Sequence, residues 1–196
     1  MTTSTLETTP VSPGSARERL LQAADELFYE EGIHTVGIDR VIERAGVAKA
    51  SLYKNFGSKD ELVREYLARR HLRRQARITA MLEKYEAPRD QLLGVFEVLA
   101  DISSMPGFRG CAFINASAEA PPGSSVLGVT QESRAWVRAL FAELASKADV
   151  ADPDDLAGRL VLLYDGATVG GQMDHDASAA IRARSVAELL VDAAHA

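Results

Sequence analysis

Residues 49–55 place Lys49, Ser51, Tyr53, Lys54 and Asn55 within one short stretch, "KASLYKN". Side chains of these types can recognise a nucleic acid. Ammonium groups meet phosphates or guanine, a carboxamide can pair with adenine, and Tyr53 adds a ring and a hydroxyl. A helix that only supported a core would need none of them. Leu52 and Phe56, four apart, can face a core together and leave the polar residues outward. Bond-making motifs are missing: there is no glycine-rich phosphate loop, no G-x-S-x-G and no H-E-x-x-H. No enzyme is expected.

The flanking pattern supplies the elements that must position these residues. From Ala16 to Glu31, apolar residues fall at Leu20, Ala23, Ala24, Leu27 and Phe28, the stripe of one buried helix face. Ser15 and Glu18 read as a capping box and Gly32 as a stop. A second helix is predicted over Ile38–Ala45, ended by Gly46, and a third over Lys49–Phe56, ended by Gly57. Ser58 and Glu61 form an S-x-x-E box that opens a long fourth helix, reaching about Tyr85 ahead of Pro88. Further helices are expected at about 89–103, 111–119, 124–148, 153–174 and 177–194, separated by glycine, proline and aspartate breaks. No strand-like alternation between hairpin turns is present. The expected fold class is all-α, with about nine helices. Helices two and three, joined by Gly46-Val47-Ala48, follow the helix-turn-helix plan, whose second helix enters the DNA major groove.

The net charge of −6 suits a nucleic-acid binder only because the charge is unevenly placed. Residues 40–77 hold 11 Lys and Arg against 4 Asp and Glu, whereas residues 81–196 hold 9 against 17. That asymmetry suggests a polyanion-binding module joined to a domain with a different task.

At "FYEEGIHTV", "AGVAKASLYKNF" and "GSKDEL" the chain resembles the DNA-binding signature of the TetR family of bacterial transcriptional repressors. The resemblance covers roughly residues 16–65. It implies that Lys49, Tyr53 and Lys54 occupy positions that commonly touch DNA, with Ala50, Ser51 and Asn55 beside base edges. Thr35 falls where the family meets backbone phosphate. Lys59 falls at another phosphate position, the start of the fourth helix. Gly37 departs from the usual Ser or Thr cap and offers no hydroxyl. The acidic, helical remainder is similar in plan to the family's ligand-binding and dimerisation domain. The implied organisation is a disordered tail over 1–14, a helix-turn-helix domain over 15–60, and a ligand-binding and dimerisation domain over 61–196.

The resemblance implies a ligand pocket in that second domain, and candidates for it are chosen by chemistry. An apolar cavity needs a few aromatic or polar groups to orient a ligand, and Phe96, Cys111, Phe113, Asn115, Trp136, Tyr164 and Gln172 are the residues chosen. Cys111, the single cysteine, reads as buried and inert, not as a redox sensor, and cannot form an intramolecular disulfide. The four histidines have no ligand spacing; no metal and no cofactor are expected. Arg69, Arg70, Arg73, Arg74 and Arg77 read as a solvated helix face paired with acids of the C-terminal domain, the other reading being long-range attraction for DNA. Small residues in "GATVGG", 166–171, suit close helix packing, and the helices at about 153–174 and 177–194 suit a homodimer interface by the resemblance.

No run of about 18 apolar residues is present, the N-terminal stretch does not read as a signal peptide, and a cytoplasmic protein without a membrane partner is expected. The expected function is a dimeric repressor that binds a palindromic double-stranded operator and is released by an unknown small molecule. The alternative is a constitutive DNA-binding regulator, or an activator, without an effector.

Overall fold

The computed structural model describes residues 14–194, and the tail expected over 1–14 lies, but for Gly14, outside the described residues. Nine helices and no strand are present among them: α1 (Ala16–Glu31), α2 (Ile38–Ala45), α3 (Lys49–Phe56), α4 (Lys59–Leu82), α5 (Pro88–Ser103), α6 (Ala112–Glu119), α7 (Ser125–Lys147), α8 (Pro153–Asp174) and α9 (Ser178–Ala193). No helix of the described residues is long and apolar enough to cross a membrane.

Local chemistry accounts for most boundaries. Ser15 and Glu18 form the expected capping box: the Ser15 hydroxyl accepts from the Glu18 amide, and the Glu18 carboxylate accepts from the Ser15 amide at 2.8 Å. The box expected at Ser58 forms only by half. Ser58 accepts from the Glu61 amide at 3.1 Å, but the Glu61 carboxylate turns to the Arg64 guanidinium, a charged donor that outcompetes a backbone amide. Helix α4 stops at Leu82, short of the expected Tyr85. Gln91 of α5 donates its carboxamide to the carbonyls of both Leu82 and Tyr85, which satisfies that end of the chain without another helical turn.

Two apolar cores result. The N-terminal core joins α1, α2 and α3 to Leu62, Val63, Tyr66 and Leu67 of α4. It also takes in Ala112, Phe113 and Ala116 of α6 and Val126 of α7. The C-terminal core packs Ile78 of α4 against α5, α7, α8 and α9 around Phe96, Phe141 and Tyr164, whose rings lie 5.8–6.4 Å apart. Packing therefore continues across the position where residues 60 and 61 were expected to divide two domains. Helix α4 belongs to both cores, and α6 lends its inner face to the first.

Candidate nucleic-acid interface and adjoining cavity

Helix α2 ends where Gly46 turns left-handed, at φ 61° and ψ 43°, a conformation that favours glycine. The Gly46 and Val47 amides then return to the Ile42 and Glu43 carbonyls and aim the chain into α3. Leu52 and Phe56 of α3 are buried in the N-terminal core. Lys49, Ala50, Tyr53, Lys54 and Asn55 are exposed, and Ser51 is half-buried. One helix face is thus anchored by two side chains, and the opposite face is a polar surface that can enter a groove.

Its groups are partly committed within the protein. Lys49 Nζ lies 3.0 Å from Asp39 of α2, and that hydrogen bond and charge raise its pKa. Asn55 donates its Nδ2 to the Ser51 carbonyl at 2.7 Å, which fixes the carboxamide along the helix. Lys59 Nζ donates to the Ile33 carbonyl at 2.6 Å, 5.9 Å from the Phe28 ring centroid. Burial lowers the Lys59 pKa. Lys59 therefore braces the α1–α2 turn, and Lys54, exposed on α3, is left as the most available cation of the three lysines. Thr35 is exposed in that same turn, and neither α2 nor α3 carries a side-chain cap, as Gly37 foretells for α2.

Behind this surface, α6 packs into the N-terminal core and lines the seam with Tyr164 of the C-terminal core. Its last residue, Glu119, accepts the His34 amide at 2.6 Å and so holds the turn before α2. Its first turn carries Phe113, which lies in the N-terminal core and also borders two adjoining hollows of about 320 and 400 Å³. The hollows share Arg74, Cys111, Phe113, Tyr164 and Thr168. Tyr29 of α1 reaches the same place. Its hydroxyl donates to the Gly110 carbonyl at 3.0 Å and accepts the Arg109 amide at 2.9 Å. Arg70 stacks over the Tyr29 ring at 3.9 Å.

Residues 20–66 match the model for bacterial regulatory proteins of the tetR family. The crystal structure of a TetR-family transcriptional regulator from Streptomyces coelicolor superimposes with a TM-score of 0.87 at 35% identity, covering 92% of this chain and 96% of that one. This chain belongs to the TetR family. It is a DNA-binding transcriptional regulator with the family's all-helical fold, and the family is one of regulators, not of enzymes. Two curated HTH-type relatives from Mycolicibacterium smegmatis differ in direction. The transcriptional activator FasR is 50% identical over 52 residues, 26% of this chain and 22% of its own. The transcriptional repressor KstR2 is 32% identical over 88 residues, 45% of this chain and 43% of its own. The chain thus spans less than half the length of these two curated relatives.

Within this TetR-family frame the residues chosen for a pocket separate. Cys111, half-buried and free, lines the hollows with Phe113 and Tyr164. Phe96 is fully buried behind Tyr164 in the core. Asn115 donates to the Arg109 carbonyl at 3.0 Å and braces the loop ahead of α6. Gln172 packs on Gly110, where a Cβ would overlap its Oε1, and the left-handed φ of +77° favours glycine at position 110. Trp136 meets His71 edge-on, with centroids 5.7 Å apart.

The arginine cluster departs from expectation. Arg70 and Arg73 pair with Asp25 of α1, at 2.7 and 2.9 Å, and not with acids of the C-terminal domain. Arg74 turns inward. Its Nη2 donates to the Ser133 carbonyl at 2.8 Å and to the Ser133 hydroxyl, and its guanidinium lies 4.7 Å from the Phe113 ring centroid. Tyr29, Arg74, Ser133 and Thr168 were not among the residues chosen from sequence. A signal for Arg74 existed: Leu67, His71, Arg74 and Ile78 fall on one face of α4, so two polar residues interrupt a buried stripe.

His71 Nδ1 lies 3.2 Å from the Ser133 hydroxyl, and its ring meets Phe113 and Trp136 edge-on. Burial first, then the Arg74 charge, lower its pKa, while Glu132 acts against them. The folded chain therefore favours neutral His71. Its contribution to stability is present above the unfolded value of about 6.5 and is lost as pH falls through the lower folded value. Thermal melts of wild type and His71→Phe between pH 7 and pH 5 test this. The wild type should lose more Tm over that interval than the variant; equal losses would remove His71 from the acid response.

Proposed function

We propose that this regulator is a homodimeric repressor that binds a palindromic operator and is released by a small molecule held in the hollows beside α6. The observation that carries the reading is the shared position of α6. Phe113 borders the hollows, and Glu119 of the same eight-residue helix holds the turn leading into α2. A ligand that displaces Phe113 would move α6 as a unit and reset the angle of α2 and α3. A rigid helix carries a small shift from one end to the other. The relative named as a repressor supports that direction.

On DNA, α3 lies in the major groove. Tyr53, Asn55, Ala50 and Ser51 face base edges, while Lys54, Lys49 and Thr35 face phosphates. Lys59 contributes charge at the start of α4 but mainly braces the α1–α2 turn. Residues 15–60, extended by the first half of α4, act as the DNA-binding unit, and 61–196 supply the pocket and the dimer. Among the described residues, six of the nine exposed large apolar side chains lie on α8 and α9, within 153–174 and 177–194, and a second copy would cover them.

Mobility shifts with selected operator and random DNA test the recognition step. Tyr53→Ala and Asn55→Ala should each erode the preference for operator by about 1–3 kcal/mol. Lys54→Ala should weaken both DNAs alike and lower the salt slope by about one per bound half-site. Unchanged operator preference in a Tyr53→Ala, Asn55→Ala double variant would sink the assignment. An activator would instead raise transcription from its operator in a reporter strain. A constitutive regulator would ignore every ligand that binds the hollows.

A further inference from the structure

The hollows beside α6 contain a charge without a counter-charge. Arg74 sits where the two meet, and among the described residues Ser133 alone accepts a hydrogen bond from its guanidinium. Its Nε is buried with no partner, and no carboxylate lies within ion-pair distance of Arg74 among the described residues. The 320 Å³ hollow is lined in addition by Arg70, Arg73 and Arg77, and by no acidic residue. Arg70 and Arg73 share the single carboxylate of Asp25, and Arg77 makes no ion pair among the described residues. The acid that faces the 400 Å³ hollow, Asp165, is held by Arg134.

Leaving a guanidinium half-enclosed and unpaired is unfavourable, because burial penalises an uncompensated charge. The surrounding walls do little to offset it. Phe113 and Trp136 offer ring faces at 4.7 and 6.0 Å, which attract a cation weakly beside a carboxylate. Most of the remaining wall of the smaller hollow is apolar, with Leu99, Ile102, Met105, Phe108 and the Tyr164 ring on its surface, and Thr168 and Tyr29 add hydroxyls. A volume of about 320 Å³ suits a small organic molecule.

We infer that the effector is an organic anion, a carboxylate on an apolar or aromatic body, and that Arg74 is the residue that selects its charge. This rests on the proposal that the hollows hold an effector at all. The carboxylate supplies the counter-charge that the protein withholds. The apolar body lies against Tyr164 and the α5 side chains, and Arg77 adds attraction at the arginine-lined side. Bound in this way, the head group pulls Arg74 against Phe113, the α6 residue that also belongs to the DNA-binding core.

The test is a charge series on one carbon skeleton. Calorimetric titration of the wild-type protein with 2-naphthoate and decanoate is compared with their primary amides and with 2-naphthylmethylamine and decylamine. The expected result is binding of at least one carboxylate at least tenfold tighter than its amide, with the amines weakest. Arg74→Met should abolish the carboxylate-to-amide ratio, and Arg74→Lys should keep part of it. Circular dichroism and operator binding of the ligand-free variants show that they fold, and the wild-type series stands without them. Equal binding of carboxylate and amide, tighter binding of the amines, no carboxylate binding, or a ratio unchanged in Arg74→Met overturns the inference. The two readings fail separately. Neutral compounds that bind and release operator would keep the effector-controlled repressor and remove the anion. Carboxylates that bind through Arg74 yet leave operator affinity unchanged would keep the anion site and remove the repressor switch.

Discussion

Leu162→Asp combined with Leu189→Asp should give a folded monomer that has lost most of its operator affinity. Leu162 and Leu189 are each 69% exposed, on α8 and α9, and Val169, Met173, Ile181 and Val186 are exposed around them. On α8 the register 162, 166, 169, 173 forms one stripe, and Gly166 within it has open space where a Cβ would be, so a partner helix can approach closely. Burying one leucine contributes about 1.5–3 kcal/mol, so two aspartates in the same contact remove that gain twice and add desolvation of charge. Neither residue belongs to the buried core of its own chain, so the fold should survive. Loss of the second half-site contact removes an avidity gain of about 10²- to 10⁴-fold. Sedimentation and operator titration read both effects. A double variant that remains dimeric at micromolar concentration would move the interface elsewhere. A monomer with undiminished operator affinity would remove the need for a dimer.

Phe113→Ala should cost about 3 kcal/mol of stability and leave DNA binding insensitive to the effector. Phe113 is 8% exposed, sits in the N-terminal core, meets the His71 ring edge-on and borders both hollows. Truncating a buried aromatic typically costs about 3–5 kcal/mol, and a wall already facing a hollow places this one at the lower end. Denaturant melts measure that part. The coupling is isolated better by Tyr29→Phe, which removes the hydroxyl that joins α1 to Arg109 and Gly110 while keeping the ring beneath Arg70. An allosteric coupling of about 1–3 kcal/mol corresponds to a 5- to 150-fold weakening of operator by effector, and the variant should shrink that ratio. Operator titrations with and without a saturating ligand give the ratio directly. If both variants respond as strongly as wild type, the signal does not pass through α6 and Tyr29.

What the sequence determined by itself is the part of the molecule built from neighbours. Capping at Ser15 involves residues three apart. The left-handed stop at Gly46 returns to carbonyls three to five residues back, and the anchoring pair Leu52 and Phe56 is one turn apart. Interactions of that range are written into short strings, so the helix count, the helix-turn-helix and its polar face were legible before any coordinates. Even there, side-chain pairing was not. Glu61 chose Arg64, one turn on in the same helix, over the Ser58 amide because a guanidinium is the stronger donor, and Lys59 was drawn to the Ile33 carbonyl, which came within reach only once α4 had packed beside α1.

The hollows were decided by tertiary structure alone. Tyr29 and Gly110 are 81 residues apart, Arg74 and Ser133 are 59 apart, and His34 and Glu119 are 85 apart. Polar residues at 71 and 74 interrupt the apolar stripe of α4, but nothing local says that Arg74 turns inward to Ser133 while its neighbour Arg73 pairs with Asp25. The difference is rotation about the helix axis. One step of about 100° carries Arg73 to Asp25 and Arg74 to the seam between two cores, and which side of α4 becomes that seam depends on how α6 and α7 close over it.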